Sequence, residues 1–459
     1  MVDKIGSENQ QLDDPFKKEL GPLMLWALGV GYVISGMYFG WNLGLPEGGS
    51  YGFLAATAIV TVMYACFVAS YGELCCALPR AGGAFVYAHE AFGANVGVLS
   101  GMAQWIEFVF APPAIAAAIG AYSAIFFPQV PAMGVSIAAY AVFTALNCYG
   151  VKQSAIFELI ITVLAVAELL LFVGVSGLAG PGFRWQMFSL NPLPHGWMGL
   201  LGALPYAIWF YLGIEGLANV AEDSANPQRD LPRALNHTMA TLAVLAVLTL
   251  FTAVGVAGWE AVVYAPGTHE ASDSPLPLAL AHVVGQKNSL YHLLVTVGLF
   301  GLIASFHGIL LAAGRVTFEF GRVGYAPRIL GRTLKGVGTP AFALVFNMVI
   351  GCGALLTGRT AEIIQLAVFG ALTLYVTSMG ALFRLRATSP SLPRPYRVPC
   401  YPLVPAVALG LATLCLVSMA IASPRIVSVF MLLLALGFAY FRLFVPASVR
   451  SAPLRNGAP

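Results

Sequence analysis

Twelve apolar runs of about 20 residues punctuate the chain, near 23–44, 51–76, 94–122, 131–149, 155–178, 197–220, 236–258, 289–313, 340–357, 361–383, 402–422 and 426–445. Each is long enough to cross about 30 Å of hydrocarbon as a helix. Lipid offers no partner to a free N–H or C=O, so a spanning segment must meet its own backbone hydrogen bonds, as a helix does and an isolated strand does not. The expected fold is therefore an all-α integral membrane protein with twelve transmembrane helices and both termini on one side. Composition agrees, because 59% of the residues are hydrophobic and only 9% are charged, against about 25% in soluble domains.

Basic residues orient this arrangement. With the termini cytoplasmic, the inner loops and tails receive nineteen Lys and Arg, including Lys17, Lys18, Arg80, Arg229, Arg322, Arg386 and Arg397, and the outside receives only Arg184, Lys287, Arg359 and Arg425. Such an asymmetry predicts a multi-pass protein of the cytoplasmic (inner) membrane with cytoplasmic termini. The first twenty residues are polar and no cleavable signal is visible, so the first span is expected to stay in the protein. An N-terminal tail (1–20) and a C-terminal tail (446–459) then flank one transmembrane unit (21–445).

Several function classes find no support. A net charge of +3 with scattered Lys and Arg does not point to nucleic acid. Seven cysteines show neither an even set nor a metal spacing, and no cofactor is expected. His89-Glu90 lacks a second His four positions after the first, and neither a Gly-x-Ser-x-Gly elbow nor a phosphate-binding Gly-Lys-Ser/Thr loop occurs, which argues against an enzyme. The longest external loop, about Trp259 to Ser289, is too small for a receptor domain. A channel is the alternative that sequence excludes least.

Two runs are interrupted by glycine. The first carries Gly29, Gly31, Ser35, Gly36, Gly40 and Gly44, and the sixth carries Gly202, Gly213 and Gly216 beside Glu215. Broken helices opening each of two five-helix halves (about 21–180 and 196–385) point to an inverted repeat with a midplane binding site, followed by two added helices (402–445). Glu107, Glu168 and Glu215 lie inside apolar runs with no Lys or Arg among them. Intramembrane acids without a basic partner predict either protonated carboxyls or a place for a cation. His307, deep in the eighth run, is a candidate proton relay or a hydrogen-bonded packing histidine.

Ser35-Gly36-Met37-Tyr38-Phe39, the Leu78–Tyr87 loop with Ala91-Phe92-Gly93, Asn147–Lys152, Asn226–Arg233 and Leu392–Pro399 resemble, in order, the signatures of the amino acid–polyamine–organocation (APC) superfamily. That resemblance implies a LeuT-like fold with discontinuous helices one and six and a secondary transporter. Ile34–Leu45 and Gln104–Pro113 look most like the ethanolamine permeases, implying ethanolamine as substrate, with an amino-acid permease or exchanger as the alternative.

An ethanolamine site would seat the ammonium against unwound carbonyls near Phe210 to Gly213 with help from Glu107 or Glu215, and would offer donors around Ser35, Gly36, Met37 and Tyr38 to the hydroxyl. Tyr206, Trp209, Phe210 and Tyr211 supply rings for cation–π attraction of roughly 0.5–2 kcal/mol. Trp209 precedes Glu215 by six residues, as the gating tryptophan of the arginine/agmatine antiporters does, which implies a gate role for Trp209. Glu168, Glu215 and His307 are candidates for proton coupling. The helix-five lysine of several proton-coupled members falls here at Ala165, so the coupling ion, proton or sodium, stays open.

Overall fold

In a computed structural model the described residues are 20–149, 151–177, 182–334, 338–451 and 454. Most of the 1–20 tail and part of the 446–459 tail therefore lie outside them. Regular structure among the described residues is helical, with only isolated bridges at Leu20–Ser224 and Tyr264–Ala271.

Every apolar run falls on a helix. We label them α1 (Pro22–Tyr38), α2 (Leu45–Ala77), α3 (Ala84–Phe92), α4 (Ala94–Phe126), α5 (Ala132–Cys148), α6 (Val151–Ser176), α7 (Gly199–Trp209), α8 (Pro227–Ala257), α9 (Trp259–Val263), α10 (Pro275–Val284), α11 (Ser289–Arg322), α12 (Ala341–Leu355), α13 (Thr360–Thr388), α14 (Leu403–Ala422), α15 (Pro424–Phe444) and α16 (Ala447–Arg450). Among the described residues, nine helical segments are long and apolar enough to cross a membrane. The other three runs form α1, α5 and α12, of 17, 17 and 15 residues, which fall short of that length on their own.

Both glycine-interrupted runs are discontinuous. α7 ends at Trp209, the chain turns through 210–213 with Gly213 left-handed at φ 96°, and a tight 3-10 segment (Ile214–Asp223) follows. In the first run the break lies at the end of the expected Ser35–Phe39 stretch, because α1 stays helical through Tyr38 and the reversal occurs at Phe39, which is extended, and Gly40, at φ 85°. Positive φ is a glycine conformation, and Gly40, not Gly36, supplies it. A second 3-10 turn (Trp41–Gly44) leads into α2, which kinks at Gly49.

α1 packs against α6, α8 and α11, and α4 against α13, α11 and α5. α14 and α15 are peripheral: 33% and 22% of their most apolar windows are buried, against 72% for α4, the sixth-run segment and α13.

Ion pairs staple the loops at one end. Arg322 pairs with Glu222 at 2.9 Å and with Glu319 at 2.6 Å, and the Ala81 N–H donates to Glu222 at 3.1 Å. Glu73 on α2 pairs with Arg386 and Arg394 and accepts from the Val398 N–H at 2.8 Å, which anchors the Leu392–Pro399 stretch. Leu20 pairs with the backbone of 223–225, and Arg80 donates to the Leu454 carbonyl at 2.6 Å, so both residues lie at this same end.

Across the molecule the loop after α9 lies against the second half of the first run: Asn42 donates to the Ser272 carbonyl at 2.8 Å, and Thr360 donates to Asp273 at 3.2 Å. Burial raises the Asp273 carboxyl to about 6, opposed by that hydrogen bond. Because the folded-state value stands above the ordinary 3.8, folding favours the protonated acid, and this stabilisation, complete below the unfolded value, is lost as pH rises through about 6. Purified protein should therefore show a higher melting temperature in detergent at pH 5 than at pH 7.5 through this group. Asp273→Asn should flatten that difference, and an unchanged slope in the variant would refute the assignment.

Candidate functional site

The two breaks meet backbone to backbone. A Cβ on Gly36 would lie 2.5 Å from the Trp209 carbonyl oxygen and 3.1 Å from the Phe210 Cα, so only glycine admits α7 at this depth. One turn later, Phe39 meets the Trp209 ring edge-on at 5.4 Å, and Trp41 stacks on Phe210 at 5.8 Å. Trp209 thus lies across the first break against Gly40, and its indole N–H has no hydrogen-bond partner among the described residues.

The acids gather on the other flank of the sixth-run break. Glu107 on α4 is fully buried beside the Glu215 carboxyl and the Gly213 amide. Neither Glu107 oxygen, nor Oε1 of Glu215, has a hydrogen-bond partner among the described residues. Glu215 Oε2 accepts from the Tyr375 hydroxyl on α13 at 2.9 Å, and Tyr375 pairs with the Tyr64 hydroxyl at 2.9 Å. A turn away, Gln104 donates to Asn219 at 3.0 Å, leaving Gln104 Oε1 and Asn219 Nδ2 unpartnered. Buried polar atoms are nearly always paired. Such a concentration of free ones, most of them acceptors, marks a place fitted to a polar guest that donates.

Several expected site residues belong elsewhere. Ser35 bonds Ser305 of α11 at 2.7 Å, and Ser305 donates to the Tyr32 carbonyl at 2.7 Å, so this hydroxyl ties α1 to α11. Met37 takes part through its carbonyl, which accepts from the Trp41 indole at 3.0 Å. Tyr38 points away from α7, donating to Glu168 at 2.7 Å and bonding the Ala165 carbonyl at 3.0 Å. Glu168 therefore sits against α1 and lines a small cleft with Tyr122, Leu276 and Gly298, apart from the other acids. Tyr206 accepts from Gln365 at 2.8 Å, and Tyr211 meets Thr61 on α2 at 2.7 Å, so neither ring faces the crossing at Gly36. His307 pairs with Glu158 of α6 at 3.0 Å.

Glu158 escaped the sequence reading because it stands near the start of its run. Helical spacing would have revealed it, since Glu158, Thr162, Ala165 and Leu169 form the buried stripe of α6. Arg315, read from sequence as an inner-loop charge, is fully buried and pairs with Asp223 at 3.1 Å.

The description "Amino acid permease" fits a family model matching residues 20–451. The chain belongs to the amino acid permease family. Among its relatives are an uncharacterized transporter of Rhizobium meliloti (strain 1021), 29% identical over 86% of this chain and 85% of that protein, and the branched-chain amino acid permease BcaP of Bacillus subtilis (strain 168), 25% identical over 86% of each. The aromatic amino acid transport protein AroP of Escherichia coli (strain K12) is 24% identical over 75% of each. Family and apolar helices together make this permease a multi-pass membrane protein of the APC kind, a transporter of small molecules.

The crossing at Gly36 gives a direct test. Gly36→Ala should destabilise the permease by roughly 1–3 kcal/mol through overpacking, read as a lower melting temperature in detergent. Gly174→Ala, where an added Cβ meets nothing within 4 Å, should stay near wild type. Equal melting of the two variants would contradict the close approach.

Proposed function

We propose that this permease is a secondary active transporter that imports a small organic cation, ethanolamine, across the cytoplasmic membrane by alternating access. In this reading all twelve runs cross the membrane with the termini cytoplasmic, 21–180 and 196–385 are inverted repeats, and 402–445 adds two helices. The observation that carries the substrate is the carboxyl pair Glu107 and Glu215 at the sixth-run break, adjoining each other and the Gly213 amide with no basic side chain beside them among the described residues. An ammonium group supplies the positive charge this pair lacks. The carbonyls of 210–213 and the rings of Trp209 and Phe210 complete its surroundings, with Trp209 as the gate.

Anion donors are scarcer. The Gly40 N–H, which opens the second half of the first run, is already capped by Asn42 Oδ1 at 3.0 Å. This favours a substrate without a carboxylate. One fact favours the alternative, an amino-acid permease or exchanger: BcaP and AroP are named for amino acids.

Counterflow of labelled ethanolamine in liposomes, with unlabelled competitors, decides between the two. Ethanolamine should compete better than alanine, leucine or arginine, and the reverse order would establish the amino-acid reading. Glu107→Gln should raise the Kd for ethanolamine roughly tenfold or more, the scale of one hydrogen bond to a charged group. Trp209→Ala should speed substrate escape from the loaded protein. Wild-type affinity and exchange in both variants would remove these residues from the site.

A further inference from the structure

A cleft of about 310 Å³ opens between α12 and α15, apart from the carboxyl pair. Both helices pack on α4, which lays Val98, Met102 and Trp105 along the cleft at helical spacing over roughly 10 Å. Phe346 of α12 and Tyr440 of α15 line it as well, and both are exposed. A Cβ on Gly437 would meet the tip of Met102 at 2.4 Å, so α15 comes close to α4 at this level.

The walls offer little to a polar solute. Thr317 donates to Asn347 at 3.0 Å, and the Tyr325 hydroxyl bonds Nε2 of His89 at 3.1 Å, so two hydroxyls of the lining are already engaged. What remains is hydrocarbon and rings, in a volume at the lower end of the roughly 300–1,000 Å³ of small-molecule sites. A lipid acyl chain has this chemistry and reaches the perimeter of a bundle without crossing water. Lipid tails are as apolar as the cleft, however, so a chain alone gains little by entering it. Selectivity has to come from the headgroup.

The mouth is basic. Arg328 is exposed and stands in sequence between Pro327 and Leu330, both part of the lining. Arg442, also exposed, follows Tyr440 by two residues and reaches Asn95 Oδ1 at 3.5 Å, one turn before Val98 on the same stripe of α4. Tyr325 meets Phe441 edge-on at 4.9 Å, and a Cβ on Gly324 would lie 3.3 Å from Val449, so the loop after α11 and the end of α15 form one rim. Neither 323–334 nor 438–451 contains an Asp or Glu. Glu319, the nearest acid before this loop in sequence, is taken up by Arg322 at 2.6 Å.

We propose that this cleft is a binding site for an anionic phospholipid, with one acyl chain along Val98, Met102 and Trp105 and the phosphate held by Arg328 and Arg442. Guanidinium groups grip phosphate oxygens in a paired geometry that an ammonium lacks. Basic pockets between spanning helices are suited to such headgroups. The bound lipid joins α12 and α15 across α4, the helix that carries Glu107. Its binding depends neither on which substrate is carried nor on which way the chain lies in the membrane.

Tryptophan fluorescence of the full-length permease tests this in liposomes of phosphatidylcholine doped with a minor fraction of brominated lipid, because a brominated chain quenches an indole it touches. The difference between wild type and Trp105→Phe isolates the Trp105 signal. Brominated phosphatidylglycerol should quench that signal with an apparent affinity roughly tenfold or more above brominated phosphatidylcholine, the scale of two arginines beside an anionic headgroup. Arg328→Gln combined with Arg442→Gln should bring the two lipids level. Equal quenching by both lipids in wild type would reduce the cleft to ordinary lipid contact and overturn the proposal. So would absence of quenching at Trp105, or a preference that survives the double substitution. Should Trp105→Phe fail to fold, melting of delipidated wild type in detergent decides: phosphatidylglycerol should raise the melting temperature more than phosphatidylcholine does, and an equal rise refutes the site.

Discussion

Where α1 crosses α7, two backbones touch with no side chain between them, and this contact governs what the rest of the centre can be. Gly36 lets the Trp209 carbonyl and Phe210 approach as no other residue would. Small residues at helix crossings are the usual means of close packing in lipid. Here the crossing also stands beside two interruptions, at Phe39–Gly40 and at 210–213. Peptide groups freed by an interruption in hydrocarbon must be met by protein or by a polar guest. Protein meets two of them here: Asn42 caps the Gly40 N–H, and the Glu107 carboxyl lies by the Gly213 amide.

The buried acids divide by the partners they have. Glu73, Glu222 and Glu319 meet arginines at the end where Leu20 and Leu454 lie, and Asp223 meets Arg315. They are structural staples, whose removal one partner at a time would strand a buried charge. Glu168 is met by Tyr38, and one oxygen of Glu158 by His307. Glu107 and Glu215 differ because they adjoin each other with no fixed cation beside them among the described residues. A compensating positive group that the protein withholds must come from a proton or a ligand. That contrast, more than acidity as such, distinguishes the site from its surroundings.

Much of the architecture was legible because lipid punishes exceptions. Every apolar run became a helix, since no other backbone is tolerated there, and Gly213 beside Glu215 marked the second interruption correctly. The first fell at the last residue of the marked stretch: six small residues in one run satisfy close packing and a break alike, and composition does not tell which glycine does which. Gly29, Gly31 and Gly36 make room for neighbours, while Gly40 turns the chain. Side-chain direction was also beyond reach. Tyr38 and Tyr211 share segments with true neighbours of the crossing but project toward α6 and α2, because helical rotation separates residues adjacent in sequence by about 100°. Arg315 deceived for a related reason. It lies past the apolar run yet within the same helix, where Asp223 reaches it.

α1 joins the two chemistries. Along its length it presents Gly31 to Glu158, Ser35 to Ser305, Gly36 to Trp209 and Tyr38 to Glu168. Each contact is made by a different face or level of one short helix that is unsupported beyond Tyr38, where it unwinds. A rigid 17-residue rod cannot change its relation to α7 without also changing it to α6 and α11. A shift at the crossing is therefore felt along the whole helix, because α1 is a wall of the Gly36 crossing and of the Glu158 contact alike.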